Sequence, residues 1–121
     1  MPDWEARVRE NHAYRQPRAI SAEQRHEAEP RAEALAVELR RLVRNGTTEE
    51  GLRGAVGRVL GLEPDQVEVK GTEFAPLRGV AVGGGGGLVC VNGSVDREGR
   101  VDAEVAGRTN DGPCLPGDGG H

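Results

Sequence analysis

The chain of 121 residues carries a net charge of −4, and only 2% of its residues are aromatic. This length fits one domain and leaves no room for a second. Aromatic rings are scarce, and residues 61–121 hold five basic residues against ten acids, so we expect no nucleic-acid binding. No apolar run is long enough to span a bilayer, so membrane insertion is not expected either.

The N-terminal residues 1–28 are polar and irregular, which predicts a mobile segment. Trp4 and Val8 lie four residues apart, so a short amphipathic docking helix is the alternative. Ser21 and Gln24 have the spacing of a capping box, which favours a helix that continues into the next segment. The first residues are charged and form no apolar signal region. The sequence as given therefore predicts a cytoplasmic protein, or an exported one if the true N-terminus or an anchor is missing.

Two helices are predicted next. The first runs from about Pro30, because proline suits a first helical position, to Arg44 before Asn45-Gly46. Its apolar residues recur at spacings of three and four: Ala32, Leu35, Leu39 and Leu42. The second begins at Thr47, which has capping-box spacing to Glu50, and ends before Gly61. The short turn between the two helices predicts that they pack against each other.

From Leu62 onward the hydrophobic period changes to two, which indicates strands. Short strands are expected at residues 66–70, 77–82, 88–95 and 100–107, with a hairpin loop at residues 96–99. The fold class is therefore α+β, with two helices followed by a three- to four-stranded antiparallel meander. This domain is expected to span residues 29–109. Residues 110–121 form a Gly/Pro-rich tail, and both tails are expected to be disordered.

A run of five glycines, Gly83 to Gly87, is the most conspicuous local feature. A phosphate-binding loop requires a following Lys and Ser or Thr at the start of a helix, whereas Leu88-Val89-Cys90-Val91 predicts a strand. The run therefore indicates a flexible hairpin connection.

Cys90 and Cys114 are the only cysteines. If the last two strands pair about residues 96–99, Cys90 lies opposite roughly Ala106, and the tail could bring Cys114 back to it. A disulfide there would contribute about 3 kcal/mol. The alternative is two reduced thiols, one buried and one exposed. The topology favours the bond and the missing signal peptide opposes it, so both states stay open.

Other chemistry has little support in the sequence. His12, His26 and His121 are scattered, which argues against a metal site. Asn110-Asp111 and residues 117–119 lack a calcium-loop pattern and indicate turns. Four acids occupy the polar positions expected of a solvated face: Glu68, Glu73, Asp102 and Glu104. Ser94 has no activating motif around it. We expect no enzyme activity and no cofactor.

One resemblance covers residues from about Thr47 to Leu115. The run from Leu88 to Val95, the charged hairpin, the alternating strand and Asp111-Gly112-Pro113-Cys114-Leu115 resemble C-terminal domains of uncharacterised small actinobacterial proteins. The use of arginine for 15 of the 16 basic residues is likewise typical of a high-GC genome. The resemblance implies an α+β fold, a pair of cysteines suited to a disulfide, and exported ancestry. It implies no activity.

Three functions follow as hypotheses. The first is a non-catalytic binding or accessory module for an unknown protein or small ligand, whose long polar N-terminal segment orders on its partner. The second is an exported envelope domain stabilised by a disulfide between Cys90 and Cys114. The third is a thiol redox or metal-binding protein, although the chain has no C-x-x-C motif.

Overall fold

The computed structural model describes residues 18–116, and predictions for residues 1–17 and 117–121 lie outside this range. Among these are the docking helix at Trp4 and Val8 and the turn at residues 117–119. Within residues 18–116 the elements are two helices, a 3-10 turn and six strands: α1 Ala22–Asn45, α2 Glu49–Leu60, Pro64–Gln66, β1 Glu68–Lys70, β2 Glu73–Phe74, β3 Leu77–Arg78, β4 Val80–Gly84, β5 Val89–Val95 and β6 Val101–Gly107. This order confirms the predicted α+β class, with two helices before an antiparallel sheet.

Helix α1 begins at Ala22 rather than near Pro30, so Pro30 lies inside the helix. The capping box is formed as the spacing predicts. The Gln24 amide donates to Ser21 Oγ at 3.0 Å, and the Ser21 amide donates to Gln24 Oε1 at 2.8 Å. The cap satisfies end groups of the helix, and the extra turns bury Ala28, so together they outweigh the hydrogen bond that proline removes.

Helix α2 is capped by Thr48 rather than Thr47. The Gly51 amide donates to Thr48 Oγ1 at 3.0 Å, which moves the predicted helix start by one residue and replaces the Thr47–Glu50 capping box. The helix ends at Gly61, as predicted. No helix within residues 18–116 is both long and apolar enough to cross a membrane.

The main sheet has the strand order β1-β4-β5-β6, and each pair of neighbouring strands within it is antiparallel. The strand predicted at residues 77–82 is divided in two, because its first residues pair with β2 in a separate hairpin, with Glu73 opposite Arg78. Gly83 and Gly84 belong to strand β4, so the prediction that all five glycines form a hairpin connection is corrected. The connection begins at Gly85.

Both helices cover one face of the main sheet, which we call the inner face. Its strand residues join the leucines of α1 and α2 in one core cluster: Val80, Val82, Val91, Val95 and Val105. Gly93 lies on this face, and a Cβ there would come within 2.7 Å of Leu39 Cδ1 and 3.0 Å of Leu35 Cδ2. The absence of a side chain at Gly93 therefore lets α1 approach the sheet closely.

The hairpin between β5 and β6 is closed by Asp96. Its Oδ1 accepts from the backbone amides of Glu98 at 2.9 Å and Arg100 at 2.8 Å. The hydrogen bond from the Arg100 amide, followed by that from the Glu98 amide and the Arg100 charge, lowers the pKa of Asp96 below its usual 3.8. These hydrogen bonds favour the ionised carboxylate.

This lowered pKa predicts how the hairpin responds to acid. A group whose folded pKa is depressed stabilises the fold above its unfolded pKa, and the contribution is lost as the pH falls through the folded value. Asp96→Asn is therefore expected to unfold more easily than the wild type at pH 7, with the difference narrowing as the pH falls from 7 through the lowered pKa of Asp96. Urea unfolding of both proteins across this range measures it. A difference that persists unchanged in acid would contradict the carboxylate's role.

Candidate functional site

The face of the sheet away from the helices, the outer face, carries the residues that alternate with the core valines. Cys90 pairs with Ala106 across β5 and β6, as predicted, and Glu68 pairs with Gly83 across β1 and β4. Residues 109–116, which we call the C-terminal strap, cross part of this face. Within the strap, Cys114 and Leu115 are buried.

The two cysteines meet where the strap, which carries Cys114, lies over strand β5, which carries Cys90. Their Sγ atoms lie at disulfide-bonding distance, 2.04 Å apart, and their Cα atoms are 5.7 Å apart. Both side chains are almost fully enclosed, with 0% of Cys90 and 2% of Cys114 exposed. The tail therefore returns Cys114 to Cys90 and places the pair at disulfide distance between the strap and the middle of the sheet.

Glu68 holds the strap from the neighbouring edge of the sheet. Its Oε2 accepts from the Cys114 amide at 2.6 Å, and its Oε1 accepts from the Leu115 amide at 2.9 Å. Two successive backbone donors on one carboxylate fix both the position and the direction of the strap. Charge-assisted hydrogen bonds of this kind are stronger than neutral ones.

Asn92 completes the contact from strand β5. Its Nδ2 donates to the Cys114 carbonyl at 3.1 Å, and the residue is only 8% exposed. Its Oδ1 is buried without a hydrogen-bond partner among the described residues. A Cβ at Gly83 would come within 2.2 Å of this oxygen, so the glycine allows the amide to lie flat on the sheet.

Arg108 links the strap to the glycine-rich connection. Its guanidinium donates to three carbonyl oxygens: Gly85 at 2.6 Å, Gly87 at 2.7 Å and Gly112 at 2.8 Å. One planar side chain therefore satisfies backbone acceptors on two irregular segments. The connection predicted to be flexible is tied to the strap at these points.

The remaining predicted chemistry is dispersed. His26 and Glu29 lie on exposed turns of α1, with Nδ1 and Oε1 3.7 Å apart. Asp102, Glu104 and Ser94 are exposed on the outer face, as expected of a solvated surface, whereas Glu68 is engaged by the strap. Residues 18–116 hold no group of three His, Cys, Asp or Glu side chains placed for a metal ion. His12 and His121 lie outside the described residues.

Sequence reasoning brings together the two cysteines and misses three of their supports. In the sequence, Glu68 occupies an ordinary polar position of an alternating strand. Asn92 is a polar residue inside β5, and Arg108 simply follows β6. Asn92 is the residue from which the sequence could indicate this contact, because a side-chain amide inside a buried strand requires a hydrogen-bond partner.

Glu68→Gln is expected to lower the free energy of unfolding by about 1–3 kcal/mol. The amide group keeps one acceptor and turns a donor toward one of the two strap amides, which then loses its partner. Glu104→Gln, on the same face but exposed, is the matched control and should change stability by less than about 0.5 kcal/mol. Equal effects of the two substitutions in chemical denaturation would show that Glu68 does not anchor the strap.

Comparison with protein-family models, curated proteins and solved structures finds no match to this chain.

Proposed function

We propose that this protein is a small non-catalytic binding module that works in an oxidising compartment, with Cys90 and Cys114 joined as a structural disulfide. The observation that carries the proposal is the burial of both sulfur atoms beneath a strap that three other side chains also hold. Structural disulfides persist in oxidising surroundings and are rare in the cytosol.

A structural role for the cysteines is favoured over a redox role by their surroundings. Thiol–disulfide exchange requires a thiolate to reach a sulfur atom, and reactive cysteines are partly exposed beside positive charge. Cys90 is fully enclosed, and Cys114 has its amide on the Glu68 carboxylate. The binding role is supported by a groove on the opposite side of the molecule, described in the next subsection.

Alkylation of free thiols in cells of the native source tests whether the protein works in an oxidising compartment. Cells are lysed into denaturant that contains an alkylating agent, and the intact mass of the protein is measured before and after reduction. We expect no alkylation before reduction, a mass lower by the two thiol hydrogens, and two alkylated cysteines afterwards. Alkylation of both cysteines before reduction would contradict the proposal. Protein made in an oxidising compartment of a laboratory host is the reference for the bonded form.

A further inference from the structure

Strand β6 forms one edge of the main sheet, and among residues 18–116 no strand pairs with its free side. The backbone bonds at the two ends of the hairpin, from Arg108 to Leu88 and from Asp96 to Arg100, show which residues face β5. Along an antiparallel strand, the backbone N–H and C=O groups of successive residues point alternately to one side of the strand and to the other. The even-numbered residues of β6 therefore bond to β5. The N–H and C=O groups of Val101, Ala103 and Val105 therefore point away from β5, toward the free side of the edge strand.

Contacts made by the chain itself confirm this orientation. The Val105 carbonyl accepts from Arg25 Nη1 at 2.9 Å, and the Ala103 amide donates to the Asp102 carboxylate at 3.1 Å. Beyond the end of β6, the backbone amide of Arg18, which leads into α1, donates to the Arg108 carbonyl at 2.8 Å. Among residues 18–116, the edge groups that these contacts leave for an extended chain include the N–H and C=O of Val101 and the C=O of Ala103.

A groove of about 470 Å³ runs between this edge and one flank of α1. Its floor is formed by small or partly exposed apolar residues, among them Ala32, Ala36 and Ala103. Small side chains on the helix leave room beside β6 for a further strand. Alternate residues of that strand would point into the groove.

The charged residues around the groove are four acids and two arginines. Glu29 and Glu33 line the helix side together with Arg25 and Arg40, whereas Asp102 and Glu104 project from β6 onto the outer face, and all six are exposed. On the outer face the charge of β6 beside the free edge is therefore acidic. Side chains of an added strand that lie beside Asp102 and Glu104 would be paired favourably if they were basic. Pairing of β6 with β6 of a second copy in the register centred on Ala103 is disfavoured, because it would oppose Asp102 of each molecule to Glu104 of the other.

We propose that the edge of β6 binds an extended peptide in which basic residues alternate with small apolar ones, adding a fifth strand to the four-stranded sheet. The basic side chains lie beside Asp102 and Glu104, and the apolar ones enter the groove toward Ala32 and Ala36. This inference rests on the proposed binding role and assigns it a partner class.

The probe is a fluorescent Lys-Val-Lys-Val-Lys peptide titrated into the oxidised full-length protein, with amide NMR shifts recorded in parallel. We expect saturable binding with the largest shifts at Val101 and Ala103. Asp102→Lys/Glu104→Lys should weaken binding by about tenfold or more, because two attractive cross-strand pairs become repulsive. The matched control Glu50→Lys/Asp65→Lys changes the net charge equally at exposed positions away from β6 and should bind as the wild type does.

Two further peptides separate strand addition from charge attraction. A version with N-methylated main-chain amides keeps the side chains and loses the donors, so it should fail to bind. Equal binding by that peptide, or by Glu-Val-Glu-Val-Glu, would overturn the inference, as would a concentration-dependent dimer that blocks the edge. The intact mass of the protein is measured before the titration to verify that it is oxidised. Failure of the peptide to bind would therefore leave the proposed disulfide uncontradicted. Free thiols in the native source would instead contradict the proposed compartment.

Discussion

Leu35→Ala is expected to lower the free energy of unfolding by about 2–5 kcal/mol, the usual cost of truncating a fully buried leucine. Leu35 is 0% exposed, and its Cδ2 lies against Gly93 in the centre of the sheet. The backbone at Gly93 has no side chain that can move into the space, so the cavity will remain open. A domain of this size has a total stability of about 5–15 kcal/mol, so this one change removes a large share.

The same helix supplies the control for this prediction. Val37 is 64% exposed, and Val37→Ala should change stability by no more than about 0.5 kcal/mol. Urea unfolding of the two variants, with equal slopes, measures the difference. A loss below about 1 kcal/mol at Leu35 would mean that α1 does not pack on the inner face as described.

Replacing both cysteines by alanine is expected to cost about 3 kcal/mol, because the proposed disulfide closes a loop between residues 24 apart. For a domain of this size the melting temperature should fall on the order of 10–20 °C. The single variants should resemble the double variant, since either substitution removes the bond.

Reduced wild-type protein separates the bond from the packing of the sulfur atoms. It retains both side chains, so a similar fall in its melting temperature assigns the loss to the bond. An unchanged melting temperature on full reduction, verified by alkylation, would show that the bond between the two cysteines contributes nothing to the stability of the domain.

The helices and strands follow from the sequence because their burial is periodic. The stripe from Ala32 to Leu42 packs against the sheet, and the opposition of Cys90 to Ala106 follows from the turn at residues 96–99. The start of α1 predicted near Pro30 is wrong because proline suits a first helical position, whereas the capping-box spacing of Ser21 and Gln24 favours the earlier start that is observed. Burial of Ala28 and the cap at Ser21 are stronger influences, and only the former depends on the tertiary structure.

The site is less visible in the sequence because its residues act across long separations. Glu68 bonds to amides 46 and 47 residues later, and no local pattern distinguishes it from the exposed acids Asp102 and Glu104. Five successive glycines favour a flexible connection, so the sequence places Gly83 in one. Its actual requirement is the close approach of Asn92, a contact that depends on strand register.

The most direct test of the strap and its proposed disulfide is amide hydrogen exchange at Cys114 and Leu115 in oxidised and reduced protein. Both backbone amides donate to the Glu68 carboxylate, and the proposed disulfide would fix the segment that carries them. We predict strong protection in the oxidised protein and loss of that protection on reduction, while the amides of α1 exchange more slowly in both. Rapid exchange of Cys114 and Leu115 in the oxidised protein, or the same protection after verified reduction, would contradict this role of the disulfide.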